Sequence, residues 1–270
     1  MKRETLAGGV AELVRRHWRF RHVLFASSKV ELRKRYAGSL LGPLWAVLYP
    51  LAFLGVYLFV WLVVLRVRFP GLSQLDYVLF VFGGLIPYLF LVESLSSGSV
   101  SIKQNLHLVK NVIIPIELVP TRAVAVAFIG HLVGAVLLVV LSIISHNATW
   151  RLGLLPVVVA LQVLWLVGIV WLVAPLGVLV PDIAFVVSLS LMLLMFASPI
   201  AFRPEMVPAS YRLLVFGNPV TYMASAYRTV FMHDGEPAWE LGAFAAFAFA
   251  TFAIGAAACW RFKDFVVDSE

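Results

Sequence analysis

At Arg33-Lys34-Arg35-Tyr36-Ala37-Gly38-Ser39-Leu40-Leu41-Gly42-Pro43-Leu44-Trp45 a dense basic segment gives way to an apolar stretch, Leu44 to Leu65, that carries no charge. A helix rises about 1.5 Å per residue, so roughly 20 apolar residues cover a ~30 Å hydrocarbon core. Lys and Arg gather on the cytoplasmic side of such segments, so a chain with this junction enters a bilayer from inside. Hydrophobic residues make up 62% of the 270 and charged residues 13%, about half the charged share of a soluble domain. Ten of the 21 Lys and Arg precede the first span, so the net charge of +7 sits beside a membrane. Anionic lipid head groups, not nucleic acid, are the expected partner of that charge.

Further apolar stretches lie near 77–98, 116–144, 153–180, 184–202 and 238–260, which with 44–65 makes six expected spans. Six spans put both termini on one side. In that topology 15 Lys and Arg lie inside and six outside, the bias that short loops show. The expected fold is an all-α integral membrane protein: a cytoplasmic and interfacial segment over 1–43, then a six-span transmembrane domain over 44–270, multi-pass, N-in and C-in. The N-terminus lacks the short apolar core and small-residue cleavage site of a signal peptide, so the first span is expected to remain as an anchor. Cys259 is the single cysteine; within one chain it excludes a disulfide framework or a cysteine-based zinc site.

Three connecting regions carry patterns of their own. Val10, Leu13, Val14, Trp18, Leu24 and Phe25 recur at helical spacing among Arg15, Arg16, Arg19 and Arg21, which predicts an amphipathic helix in the cytoplasmic interface rather than a disordered basic tail. Residues near 103–114 predict a short cytoplasmic helix, or an ordinary loop, before Pro115. Near 205–232, on the outer side, apolar pieces too short to span flank Gly217-Asn218-Pro219, a turn signal. Irregular backbone at membrane depth persists only when buried in protein or lining a wet cavity, so a re-entrant hairpin is expected there.

Catalytic chemistry is sparse. There is no Gly-Lys-Ser/Thr phosphate loop, so ATP is not bound by that route. The six His are scattered without metal-ligand spacing. Glu93 and Asp182 lie near the ends of apolar stretches, and His131 is the ionisable residue well inside one. Aromatic density is the stronger signal: Trp45, Tyr49, Phe53, Tyr57 and Trp61 follow one another at i, i+4 steps in the first span. They form a spiral ridge, either interface anchors and packing residues or a path on which sugar rings slide.

Arg35-Tyr36, Ser39, Leu41-Gly42, Leu44-Trp45 and Pro50 resemble the membrane-entrance motif of the type-2 ABC exporter permeases for polysaccharides and polyol phosphates. Leu108 to Pro120 is similar to that family's cytoplasmic coupling segment, and Asn218-Pro219 followed by Tyr227-Arg228 to its outer hairpin. Where family members often carry a second Arg after the Tyr, this chain has Ala37-Gly38, and Ile114 stands before Pro115 where an aromatic is common.

The resemblance implies a homodimeric pore in a bacterial cytoplasmic (inner) membrane, with two copies of a separate ATPase docked below. ATP and Mg would then be bound by the partner ATPase, with no cofactor or metal in this chain. It further implies that Asn105, Leu106, His107, Leu108, Val109, Lys110 and Asn111 receive the ATPase's motion, and that Trp45, Tyr49, Phe53, Tyr57 and Trp61 line a glycan channel. Asn218 and Pro219 would form the outer gate. Arg33, Lys34 and Arg35 either attract the pyrophosphate of an undecaprenyl-linked polysaccharide or simply enforce topology. The expected function is export of an O-antigen-like lipid-linked glycan; the alternatives are export of teichoic acid, capsule or a small lipid or drug. A membrane enzyme acting on lipid-linked sugars would need clustered carboxylates or His, and a secondary transporter would need internal repeats; neither is seen.

Overall fold

The computed structural model describes residues 6–64, 66, 71–105, 115–233 and 238–268. Among them every regular element is helical. Two helices precede the first long apolar one, α1 (Leu6–Arg19) and α2 (Arg21–Arg35), where the sequence pattern suggested one. Leu13 of α1 is buried, while Trp18 and Phe25 stand 72% and 75% exposed. The basic side chains of this pair thus share a surface with large apolar ones, the composition of a helix lying in a membrane interface.

The chain continues through α3 (Trp45–Leu58), whose last turns widen into a π-helical stretch over Phe59–Val64. Then come α4 (Gln74–Ser99) and the single turn α5 (Ser101–Gln104), followed by α6 (Leu118–Ile144), α7 (Leu155–Leu179) and α8 (Ile183–Ala197). The short α9 (Arg212–Phe216) leads to α10 (Pro219–Phe231), and α11 (Ala238–Asp268) ends the described chain. Among the described residues, five helical stretches are long and apolar enough to cross a membrane: Trp45–Val64, Gln74–Ser99, Leu118–Ile144, Trp150–Leu179 and Trp239–Phe262. The protein is a multi-pass membrane protein. Where 184–202 was expected to span, α8 covers 15 residues, about 22 Å of helix.

Local signals set several boundaries. Ser73 and Asp76 close a reciprocal capping box at the start of α4, with both bonds 3.1 Å. Asn218 caps α10 by accepting from the Val220 N–H at 3.0 Å, and Pro219 occupies the first turn, where its missing N–H costs nothing.

Small residues let the long helices approach, as is common between helices in membranes. A Cβ on Gly168 of α7 would stand 2.6 Å from the Cα of Phe252 in α11, and one on Gly255 would overlap the Gly168 carbonyl. A Cβ on Gly134 of α6 would meet Ile86 of α4 at 2.5 Å. The core gathers around α4: Phe80, Leu85, Tyr88 and Phe90 pack with Leu138, Trp165, Leu166 and Phe231 from α6, α7 and α10.

Candidate translocation and lipid-facing site

Where α2 turns into α3, the chain leaves a concave site of about 510 Å³. Trp45, Tyr49 and Pro50 of α3 form one wall, and Ile86, Phe90 and Glu93 of α4 form the other. Gly130, His131 and Gly134 of α6 make the floor, and Arg35, Tyr36 and Ser39 stand at the rim. A mostly apolar hollow with a few converging polar groups is the usual form of a small-molecule or lipid site. Arg35 is ion-paired with Glu93 across it, which ties the end of α2 to α4. Between them the backbone makes positive-φ turns at Gly38 (φ 79) and Gly42 (φ 51), conformations a side chain would strain.

The five aromatic residues of the ridge separate into two groups. Trp45 and Tyr49 line the hollow and are exposed. Phe53, Tyr57 and Trp61 pack against the protein core instead, with ring centroids 6.4 Å and 6.0 Å apart along the row. Of the three basic residues, Arg33 and Lys34 are exposed, whereas Arg35 is committed to Glu93.

Behind the floor lies a polar network that holds α10 inside the bundle. Tyr227 Oη is 2.9 Å from His131 Nε2 and donates to Gln162 Oε1 at 2.5 Å, and Gln162 Nε2 donates to the Pro87 carbonyl at 2.8 Å. His131 stacks on Phe90, centroids 4.7 Å apart, and its Nδ1 is buried without a hydrogen-bond partner.

Arg228, counted from sequence among outer loop charges, is buried. Its guanidinium donates to the carbonyls of Phe80, Pro199 and Ile200 at 3.2, 2.7 and 2.9 Å, and lies 3.5 Å over the Phe80 ring. Asn218 Nδ2 donates to Ser198 Oγ at 2.8 Å, fastening the start of α10 to the end of α8. Every residue from Val220 to Phe231 is buried.

Of the expected coupling residues, Asn105 is described: its Oδ1 accepts from Arg122 Nη2 at 3.0 Å, and Arg122 reaches Glu31 of α2 at 3.5 Å. Leu106, His107, Leu108, Val109, Lys110 and Asn111 lie outside the described residues. Sequence reasoning missed Gln162 and the role of Arg228, although a lone Gln or Arg inside an apolar stretch signals a polar anchor. It also missed Glu117, Thr121 and Trp171, which meet α1 at the start of α6. Among the described residues no group of three or more His, Cys, Asp or Glu is arranged to hold a metal.

The chain is similar to known permeases along most of its length. It is 29% identical over 238 residues to the O-antigen export system permease protein RfbA of Myxococcus xanthus, covering 86% of this chain and 90% of that one. An O-antigen export system permease protein RfbA of Klebsiella pneumoniae is 27% identical over 214 residues, covering 78% and 80%. Residues 22–232 match the family described as ABC-2 type transporter. From the start of α2 to the end of the buried α10, this chain belongs to the ABC-2 type transporter family, as a membrane permease rather than an enzyme.

Proposed function

We propose that this chain is the pore-forming permease of an ATP-driven exporter of lipid-linked polysaccharide, of the O-antigen type, in a bacterial inner membrane. The observation that carries the reading is similarity over most of both chains to permeases named for O-antigen export, on a chain with no phosphate loop of its own. ATP and Mg are assigned to a separate ATPase, two copies of which drive two copies of this chain. The segment near 103–114 and the α1–α2 pair receive its motion.

Six crossings with both termini inside fit the packing. Tyr88 Oη donates to the Leu191 carbonyl, and Tyr77 Oη to the Ala201 carbonyl at 3.2 Å. At the other end of α4, a Cβ on Gly177 would overlap the Ser99 carbonyl. The chain from Ile183 to Ala201 therefore runs beside α4 from the level of Ser99 to that of Tyr77, about 33 Å of α4. That is enough for α8 and its extension to cross. The α9–α10 hairpin then dips back from the outer side and serves as the gate at Asn218 and Pro219, while α11 returns the chain inside.

In the mechanism, the hollow at the α2–α3 junction receives the lipid-proximal end of the substrate. Arg33 and Lys34 attract its pyrophosphate from the interface, Arg35 exchanges Glu93 for it, and Trp45 and Tyr49 offer aromatic faces to the first sugars. Phe53, Tyr57 and Trp61 shape the channel from behind. Cells lacking this chain are expected to lose surface polysaccharide and to accumulate the lipid-linked glycan on the cytoplasmic face. Normal surface polysaccharide in such cells would refute the reading.

A further inference from the structure

Glu117 sits at the start of α6 and is fully buried, at 0% exposure, with no hydrogen bond to either carboxylate oxygen. A buried carboxylate is costly unless a cation faces it, and Arg16 Nη1 of α1 does so at 3.7 Å. Arg16 also pairs with Glu12 at 3.1 Å and lies 5.8 Å over the ring of Trp260 in α11.

Beside it runs a directed hydrogen-bond chain. His17 Nδ1 lies 2.8 Å from the Leu13 carbonyl, which can only accept, so in the neutral ring the proton is on Nδ1 and Nε2 accepts. Thr121 Oγ1 is 3.0 Å from that Nε2, and in turn accepts from Trp171 Nε1 of α7 at 3.0 Å. If the ring is charged, the hydroxyl turns to the Glu117 carbonyl, 2.8 Å away, and the contact survives. Four helices are thus fastened at one point, three residues after the segment near 103–114.

We propose that the Arg16–Glu117 pair and the His17–Thr121–Trp171 chain form a joint that makes α1 and the start of α6 move as one body and passes that movement to α7 and α11. These are positioning residues, and the inference rests on the ATPase-driven reading above.

The test uses the full complex with its ATPase, on a Cys259→Ala background, with spin labels at Val14 of α1 and Leu132 of α6, both exposed. In complexes that hydrolyse ATP, the distance between labels is expected to be the same with and without nucleotide. A distance that changes with nucleotide overturns the joint. Thr121→Val is expected to lower surface polysaccharide about tenfold while ATP hydrolysis stays within about twofold, a coupling loss of ordinary size between linked sites; Thr121→Ser restores export. Export and hydrolysis falling together, or neither changing, overturns the joint as well. If Thr121→Val does not assemble, the label distance in the otherwise unchanged chain still decides. A complex with no ATP-hydrolysing partner overturns the transporter reading and the joint with it.

Discussion

The first and second long helices are similar in sequence character and opposite in fate. Trp45–Val64 and Gln74–Ser99 are both apolar enough to cross a bilayer, yet Leu54 alone of the first is buried inside the chain, against 16 of the 26 residues of the second. Hydropathy states that a helix avoids water; it does not state whether lipid or protein replaces the water. What buries α4 is local. A Cβ on its Gly84 would meet Arg228 Nη2 at 3.2 Å and Ile200 Cα at 3.4 Å, and its Phe80 and Pro87 carbonyls hold Arg228 and Gln162. In α3, a Cβ on Gly55 would meet nothing within 4 Å. The exposed helix is the one left available for lipid, substrate or a second copy of the chain.

The strongest test of this contrast is Arg228→Ala, which removes the donor that ties the Phe80 carbonyl of α4 to those of Pro199 and Ile200 after α8. The expected loss is about 3 kcal/mol of stability, read as a lowered Tm of the detergent-solubilised protein; an unchanged Tm would mean that α4 is not held by this anchor.

Gly84→Leu comes next, overpacking a tight contact by about 2 kcal/mol, while Gly55→Leu should stay within about 0.5 kcal/mol. A Gly55→Leu loss as large as that of Gly84→Leu would show a protein neighbour covering α3.

Within α3 the aromatic ridge divides the same way. Tyr57→Ala, which removes a ring packed on the core, should cost about 1 kcal/mol or more. Tyr49→Ala should leave Tm unchanged and reduce surface polysaccharide at constant protein level. Equal effects of the two on both readouts would erase the division.

The smallest effect concerns α1. Burial holds the His17 imidazole below its ordinary value, against the Leu13 carbonyl and Glu117, which act to raise it. The undocked helix therefore binds the proton more readily than the docked one. Docking is at full strength above about pH 6.5 and weakens as pH falls below it. The charges around the ring, Glu117, Arg16 and Glu12, set how far. The protection of the α1 amides, taken as exchange relative to the unprotected rate at each pH, should fall on acidification to about pH 5; rising protection there would reverse the sign.

The long apolar helices, the basic junction and the breaking of the segment near 205–232 at Gly217-Asn218-Pro219 were legible because each is a local pattern: run length, charge step, turn residues. The membrane-entrance residues Arg35, Tyr36, Ser39, Trp45 and Pro50 were legible only as a motif, and the structure adds that all five line one hollow with Glu93 and His131. What the sequence hid is long-range. Arg228 looked like a loop charge because its three acceptors lie 28 to 148 residues away. Gln162, Thr121 and Trp171 look ordinary until α6, α7 and α10 are brought together. The i, i+4 aromatic row was visible, but its split was not, because periodicity cannot tell which neighbour covers which ring.

The central claim, that this chain is one half of an ATPase-driven pore, is tested most directly by purifying it from its native membrane and determining what accompanies it and in what ratio. The account predicts two copies of this chain with two copies of an ATP-hydrolysing subunit, a complex lost when residues 105–111 are replaced. A stable assembly of this chain alone, with no ATPase, would contradict it.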